Sequence, residues 1–112
     1  MDSLNHYRQI IRAVITDYAN LRYAHGEVER VVVFDDDHDR YLLMIEGWED
    51  SYTRVHGCLI HVEIRNGKIW IQRDGTEDGI APDLVAAGVP KDHIVLGFRS
   101  EEARQYTEYA AA

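Results

Sequence analysis

Two hydrophobic periods divide this chain. From Leu4 through Tyr7, Ile10, Ile11, Val14, Tyr18 and Leu21, apolar residues recur at steps of three and four. That spacing predicts an amphipathic helix with one buried stripe. Asp2 or Ser3 can cap its start, and His25-Gly26 can end it. Arg8, Arg12 and Asp17 fall off the stripe, so the helix packs by one face only.

From Val28 the period shortens to that of extended chain. Val28–Phe34 is rich in β-branched residues and stops at Asp35-Asp36-Asp37-His38-Asp39. Tyr41–Trp48, Tyr52–Arg65 and Lys68–Arg73 follow as further strands, separated by short polar turns. Parallel neighbours need long crossovers, so these short turns predict an antiparallel meander.

Asn66-Gly67 suits a two-residue type I′ turn, which requires positive φ at both central positions. With those two as the loop, Arg65 faces Lys68, Ile64 meets Ile69 and Val62 meets Ile71. On the other face Glu63 meets Trp70 and His61 meets Gln72. One face is aliphatic and the other polar and aromatic, as one-sided burial demands. The first helix is expected on the aliphatic face.

Beyond Asp74-Gly75-Thr76 the pattern turns helical over Pro82–Ala87, with Gly88 as its stop. Ile94–Phe98 reads as a short fifth strand, and Ser100 as the cap of a last helix running from Glu101 to about Ala110. The expectation is an α+β fold in one domain, residues 1–112, in the order α-β-β-β-β-α-β-α. It consists of an antiparallel four-strand meander, a short fifth strand and an N-terminal helix packed on one sheet face.

Charge and composition narrow the picture. With 20 acidic against 12 basic residues the formal charge is −8, and Arg and Lys are scattered along the sequence. Nucleic-acid affinity rests on phosphate contacts, so direct binding by this chain alone is disfavoured. An acidic surface fits a basic protein partner, or serves only solubility. No apolar run reaches the roughly 20 residues of a membrane span, and the first residues lack signal-peptide features. With one cysteine, Cys58, there is no internal disulfide, and a cytoplasmic location is expected.

The candidate chemistry is sparse. The Asp35–Asp39 run lacks the Gly and distal Glu of a calcium loop and reads as a solvated turn. His61 and Glu63 share a face, whereas a regular strand turns His56 and Cys58 to the other, so neither a metal nor a cofactor site is expected. Cys58, between Gly57 and Leu59, reads as a small packing residue. The feature that stands out is the face carrying His61, Glu63, Trp70 and Gln72. Either a partner covers Trp70, or another element of the chain does, for instance the last helix.

The chain resembles the XisI family, the fdxN element excision controlling factors. The wording that carries this runs nearly end to end: Tyr7-Arg8-Gln9-Ile10-Ile11, Gly47-Trp48, His56-Gly57-Cys58, Asn66–Gln72 and Asp74-Gly75-Thr76-Glu77. It continues through Gly88-Val89-Pro90-Lys91, Ile94–Phe98 and Arg104-Gln105-Tyr106-Thr107-Glu108. Pro82 and Glu101 depart mildly from the pattern. The resemblance implies control of site-specific excision of a DNA element, the recombination itself belonging to a separate recombinase. A companion family, XisH, resembles nucleases and is the partner the resemblance suggests. No catalytic residues come with it.

The expectation is therefore a non-enzymatic accessory factor acting through a protein partner, XisH-like or the recombinase, with His61, Glu63, Trp70 and Gln72 as candidate contacts. Two alternatives stand beside it. One is a small enzyme with a site around His61, Glu63 and Asp74; the other is a DNA-binding dimer. A homodimer is also consistent with an unsatisfied sheet face.

Overall fold

The computed structural model describes residues 3–21 and 27–112, without the side chain of Ser3. The expected cap at Asp2 or Ser3 and the stop at His25-Gly26 lie outside what is described. Helix α1 spans Ser3–Ala19. Its stripe buries Tyr7, Ile10, Ile11, Val14 and, at its edge beside Ile11, Ile15. Past the helix, Leu21 is exposed. The terminal carbonyls are not left to solvent: the Arg30 guanidinium donates to the carbonyls of Tyr18 and Leu21, placing a cation at the negative end of the helix dipole.

Among the described residues five strands form one sheet in sequential order: β1 Glu27–Asp35, β2 Arg40–Trp48, β3 Arg54–Arg65, β4 Lys68–Asp74 and β5 Ile94–Leu96. The first four are antiparallel neighbours, and β5 joins β4 in parallel. Parallel pairing is possible there because the connection crosses over through α2, Ala81–Ala86.

The Asn66-Gly67 hairpin has the expected loop, with φ of 51° and 77°. Arg65↔Lys68, Ile64↔Ile69, Glu63↔Trp70 and Val62↔Ile71 pair as the turn arithmetic requires. The ladder then slips. His61 faces Arg73, not Gln72, and Ile60 faces Asp74. Gln72 is the extra residue of a β-bulge, which reverses the in-out alternation beyond it. A second slip makes Leu59 extra, so that Leu43 pairs Ile60 while Met44 pairs Cys58.

The aliphatic face packs beneath α1 and α2. Tyr41, Leu43, Ile60, Val62, Ile64, Ile69, Ile71 and Ile94 join Ile11, Ile15 and Leu84 in one buried cluster. The Asp35–Asp39 run is a turn, folded on itself and pinned to α1. Asp35 accepts the N–H groups of Asp37 and His38, while Arg8 meets Asp39 and Arg12 meets Asp36, each at 2.6 Å.

The C-terminal region departs from expectation. Ser100 caps α3 through a 3.2 Å bond from the Ala103 N–H, but α3 is one turn, Glu101–Arg104. The chain then swings to the edge of β5, where Ala110 donates to the Ile94 carbonyl at 2.8 Å. A free sheet edge satisfies that backbone, and the aromatic and β-branched residues of Tyr106-Thr107 favour helix weakly.

Candidate protein-interaction surface

The face of the sheet opposite α1 is assembled from alternate residues of four strands. Register places Val31 and Val33 beside Leu42 and Met44, and those beside His61 and Cys58. Glu63 and Trp70 continue the same face toward β5. A regular strand would have turned Cys58 and His56 away from His61. The Leu59 bulge reverses that, so His56, Cys58, His61 and Glu63 all lie on this face. Even so, among the described residues no three His, Cys, Asp or Glu side chains are placed to hold a metal ion.

Glu63 is the centre of the surface. It is only 7% exposed, a degree of burial that a carboxylate tolerates when cations meet it. Arg65 Nε donates to Glu63 at 2.7 Å, Arg40 Nε lies 3.6 Å away, and His61 Nε2 stands 3.2 Å from Oε1. The His61 nitrogen is out of hydrogen-bonding alignment, and the buried Nε1 of Trp70 has no acceptor among the described residues.

Two guanidiniums lie over the Trp70 ring, Arg65 at 5.7 Å and Arg104 at 5.3 Å from its centre. Such stacking is worth on the order of 1 kcal/mol each. The last helix thus covers Trp70 in part, through one side chain, and leaves the ring half-buried. On the same face, across β1 and β2, the apolar stripe of Val31, Val33, Leu42 and Met44 stays partly open, with Val33 46% exposed.

Of the four candidate contacts, His61, Glu63 and Trp70 are brought together. Gln72 is displaced by the bulge, and its side chain lies against Gly97, with Arg73 taking its expected place opposite His61. The grouping of His61 and Glu63 with Asp74 does not form. Asp74 pairs Ile60 on the helix-covered face. There its carboxylate accepts from the Thr76 N–H and hydroxyl and, at 2.7 Å, from the Ile80 N–H.

Cys58 is half-buried. Burial pushes its thiol pKa up, so the sulfur stays protonated and donates to the Ile60 carbonyl at 3.2 Å. The arginines are what sequence reading missed. Arg40, Arg65 and Arg104 are far apart or alternate in sequence, yet surround one carboxylate and one indole. Pairing Arg40 with Glu63 would have required the β2–β3 register, which the Leu59 bulge conceals.

These features define a class: an α+β protein whose mostly antiparallel sheet is covered by helices on one face and presents an ion-paired, aromatic and apolar surface on the other. No helix among the described residues is long and apolar enough to cross a membrane. The chain belongs to the XisI protein family, which matches it over residues 1–111. An XisI-like protein from Anabaena variabilis ATCC 29413 is 36% identical over 97% of this chain and 99% of its own, with a TM-score of 0.89. A second solved structure, the fdxN element excision controlling factor XisI of the same organism, is 37% identical over 99% of this chain and all of its own, with a TM-score of 0.85. Among curated proteins, none matches the chain.

Proposed function

We propose that this chain is a non-enzymatic accessory factor in the control of site-specific DNA excision, acting by docking a protein partner on the sheet face opposite α1. The observation that carries this reading is the joining of Trp70, His61 and buried Glu63 to an open apolar stripe. A large aromatic ring and an apolar stripe on one sheet face, with the Glu63 ion-pair cluster between them, match the mixed composition of an interaction surface. The role itself is supported by family membership and by the Anabaena relative described as an excision controlling factor. An XisH-like protein or the recombinase is the partner the family suggests.

The face is not a phosphate platform. Arg40 and Arg65 are directed at Glu63, and Glu29 and Glu46 lie across the same surface. The test is affinity capture from the native cell with the wild-type chain, Trp70→Ala and Val33→Glu. Wild type should retain a protein partner that both variants lose. Equal capture by all three would sink the surface, and DNA binding by the purified chain with steep salt dependence would sink the partner mechanism.

A further inference from the structure

On the helix-covered side a groove of about 1120 Å³ runs between the flank of α1 and the segment from Gly75 to Ala87. Its floor is apolar, formed by Ala13 and Val14 of α1, Leu59 of the β3 bulge and Ala86 of α2. Its rim carries four carboxylates, one on α1 (Asp17, with His6 and Gln9 along the same side) and three facing it: Glu77 and Asp78 on the loop and Asp83 on α2. The banks are tied where the Tyr18 hydroxyl donates to Asp83 at 2.8 Å. Arg30 also borders the groove, but its guanidinium is directed at the helix-end carbonyls.

Shape and charge together select an occupant. The volume exceeds that of most small-molecule pockets, which run to roughly 1,000 Å³. The α1 wall extends from His6 to Tyr18, roughly 18 Å at the helical rise, or about three turns of a helix lying alongside. An apolar floor edged by one carboxylate on α1 and three on the facing side complements a helix with an apolar stripe flanked by Lys and Arg. We propose that this groove docks a cationic amphipathic helix of a partner protein. It lies across the sheet from Trp70 and requires nothing of that surface.

A labelled synthetic helix of about 18 residues, Leu on one face and Lys on the others, tests this by fluorescence anisotropy against the full chain. Wild type should bind it, and a charge-reversed Leu/Glu helix should not bind. Glu77→Lys with Asp78→Lys should weaken binding about tenfold or more, since like charges would then face each other. Ala13→Trp should weaken it by filling the floor. If that variant misfolds, the Glu77/Asp78 pair still decides, because both residues are exposed.

Trp70→Ala should bind as wild type does. Glu29→Lys with Glu49→Lys makes the same change in net charge away from the groove and should also leave affinity unchanged. Absence of binding, equal weakening by the remote pair, or loss in Trp70→Ala would each overturn the proposal.

Discussion

Glu63 and Arg65 stand two residues apart on one face of β3, and the arginine donates to the nearly buried carboxylate at 2.7 Å. The pair organises everything nearby: Arg65 also stacks on Trp70, and Arg40 and His61 lie within 4 Å of the same carboxylate. Glu63→Ala removes the shared anion and leaves cations beside an indole. Arg40 and Arg65 are more than half exposed and re-solvate, which limits the loss to about 1–3 kcal/mol. Urea unfolding measures it; a variant within about 0.5 kcal/mol of wild type would show that the cluster is ornamental to stability.

Asp74 owes its place to the Gln72 bulge and ties the β4 end to the start of α2. Asp74→Ala strands the Ile80 amide and the Thr76 amide and hydroxyl, at a cost of about 1–3 kcal/mol. Hydrogen exchange at Ile80 should accelerate well beyond that of the Ile69 amide in the same variant. Uniform acceleration across the sheet would instead mean that Asp74 acts only through global stability.

Two glycines in neighbouring strands should respond in opposite ways. A Cβ on Gly47 would collide with the backbone of Glu27 and Val28 across the ladder, whereas one on Gly57 meets nothing within 4 Å among the described residues. Gly47→Ala should therefore lose about 1–3 kcal/mol, because backbone must shift. Gly57→Ala should be neutral or gain up to about 1 kcal/mol from the stiffer unfolded chain. Thermal midpoints of the two variants, compared with wild type, check the contrast; equal shifts would contradict the β1–β2 register.

Tyr18 titrates late. Burial first, then the hydrogen bond and charge of Asp83, push its phenol up to about 12. The unfolded chain loses that proton near pH 10, so the folded state binds more protons between the two values. Its contribution to stability is fully present below about pH 10 and is lost as pH rises toward about 12. Tyr18→Phe should flatten that part of the stability–pH curve, and tyrosinate absorbance should show one phenol fewer in the late phase. An unchanged curve would mean that the Tyr18–Asp83 bond does not hold in solution.

Much of the fold was legible locally. Asn66-Gly67 determined four successive cross-strand pairs because a two-residue turn leaves no freedom in register. Ser100 was readable as a cap because its hydroxyl needs only the amide three residues on. The bulges at Leu59 and Gln72 were not readable, because an extra residue in one strand is decided by packing against its neighbours. They mattered for the site: one brought Cys58 and His56 to the face of His61, and the other sent Asp74 to the opposite side. Ile15 was passed over in the helix stripe and proved fully buried, since a stripe broad enough to cover a sheet takes in the residue beside Ile11 as well.

By itself the sequence determined the α1 stripe, the order of strands, the hairpin at Asn66-Gly67 and the two-faced character of β3 and β4. Periodicity and turn stereochemistry act over a few residues and need no distant partner. Tertiary structure alone decided that Arg40, Arg65 and Arg104 converge on Glu63 and Trp70, and that the last residues pair with β5 rather than extend α3. It also decided that α1, the β4–α2 loop and α2 enclose an acid-rimmed groove. Each of these depends on contacts between segments far apart in the chain, where burial and sheet-edge hydrogen bonding outweigh local preference.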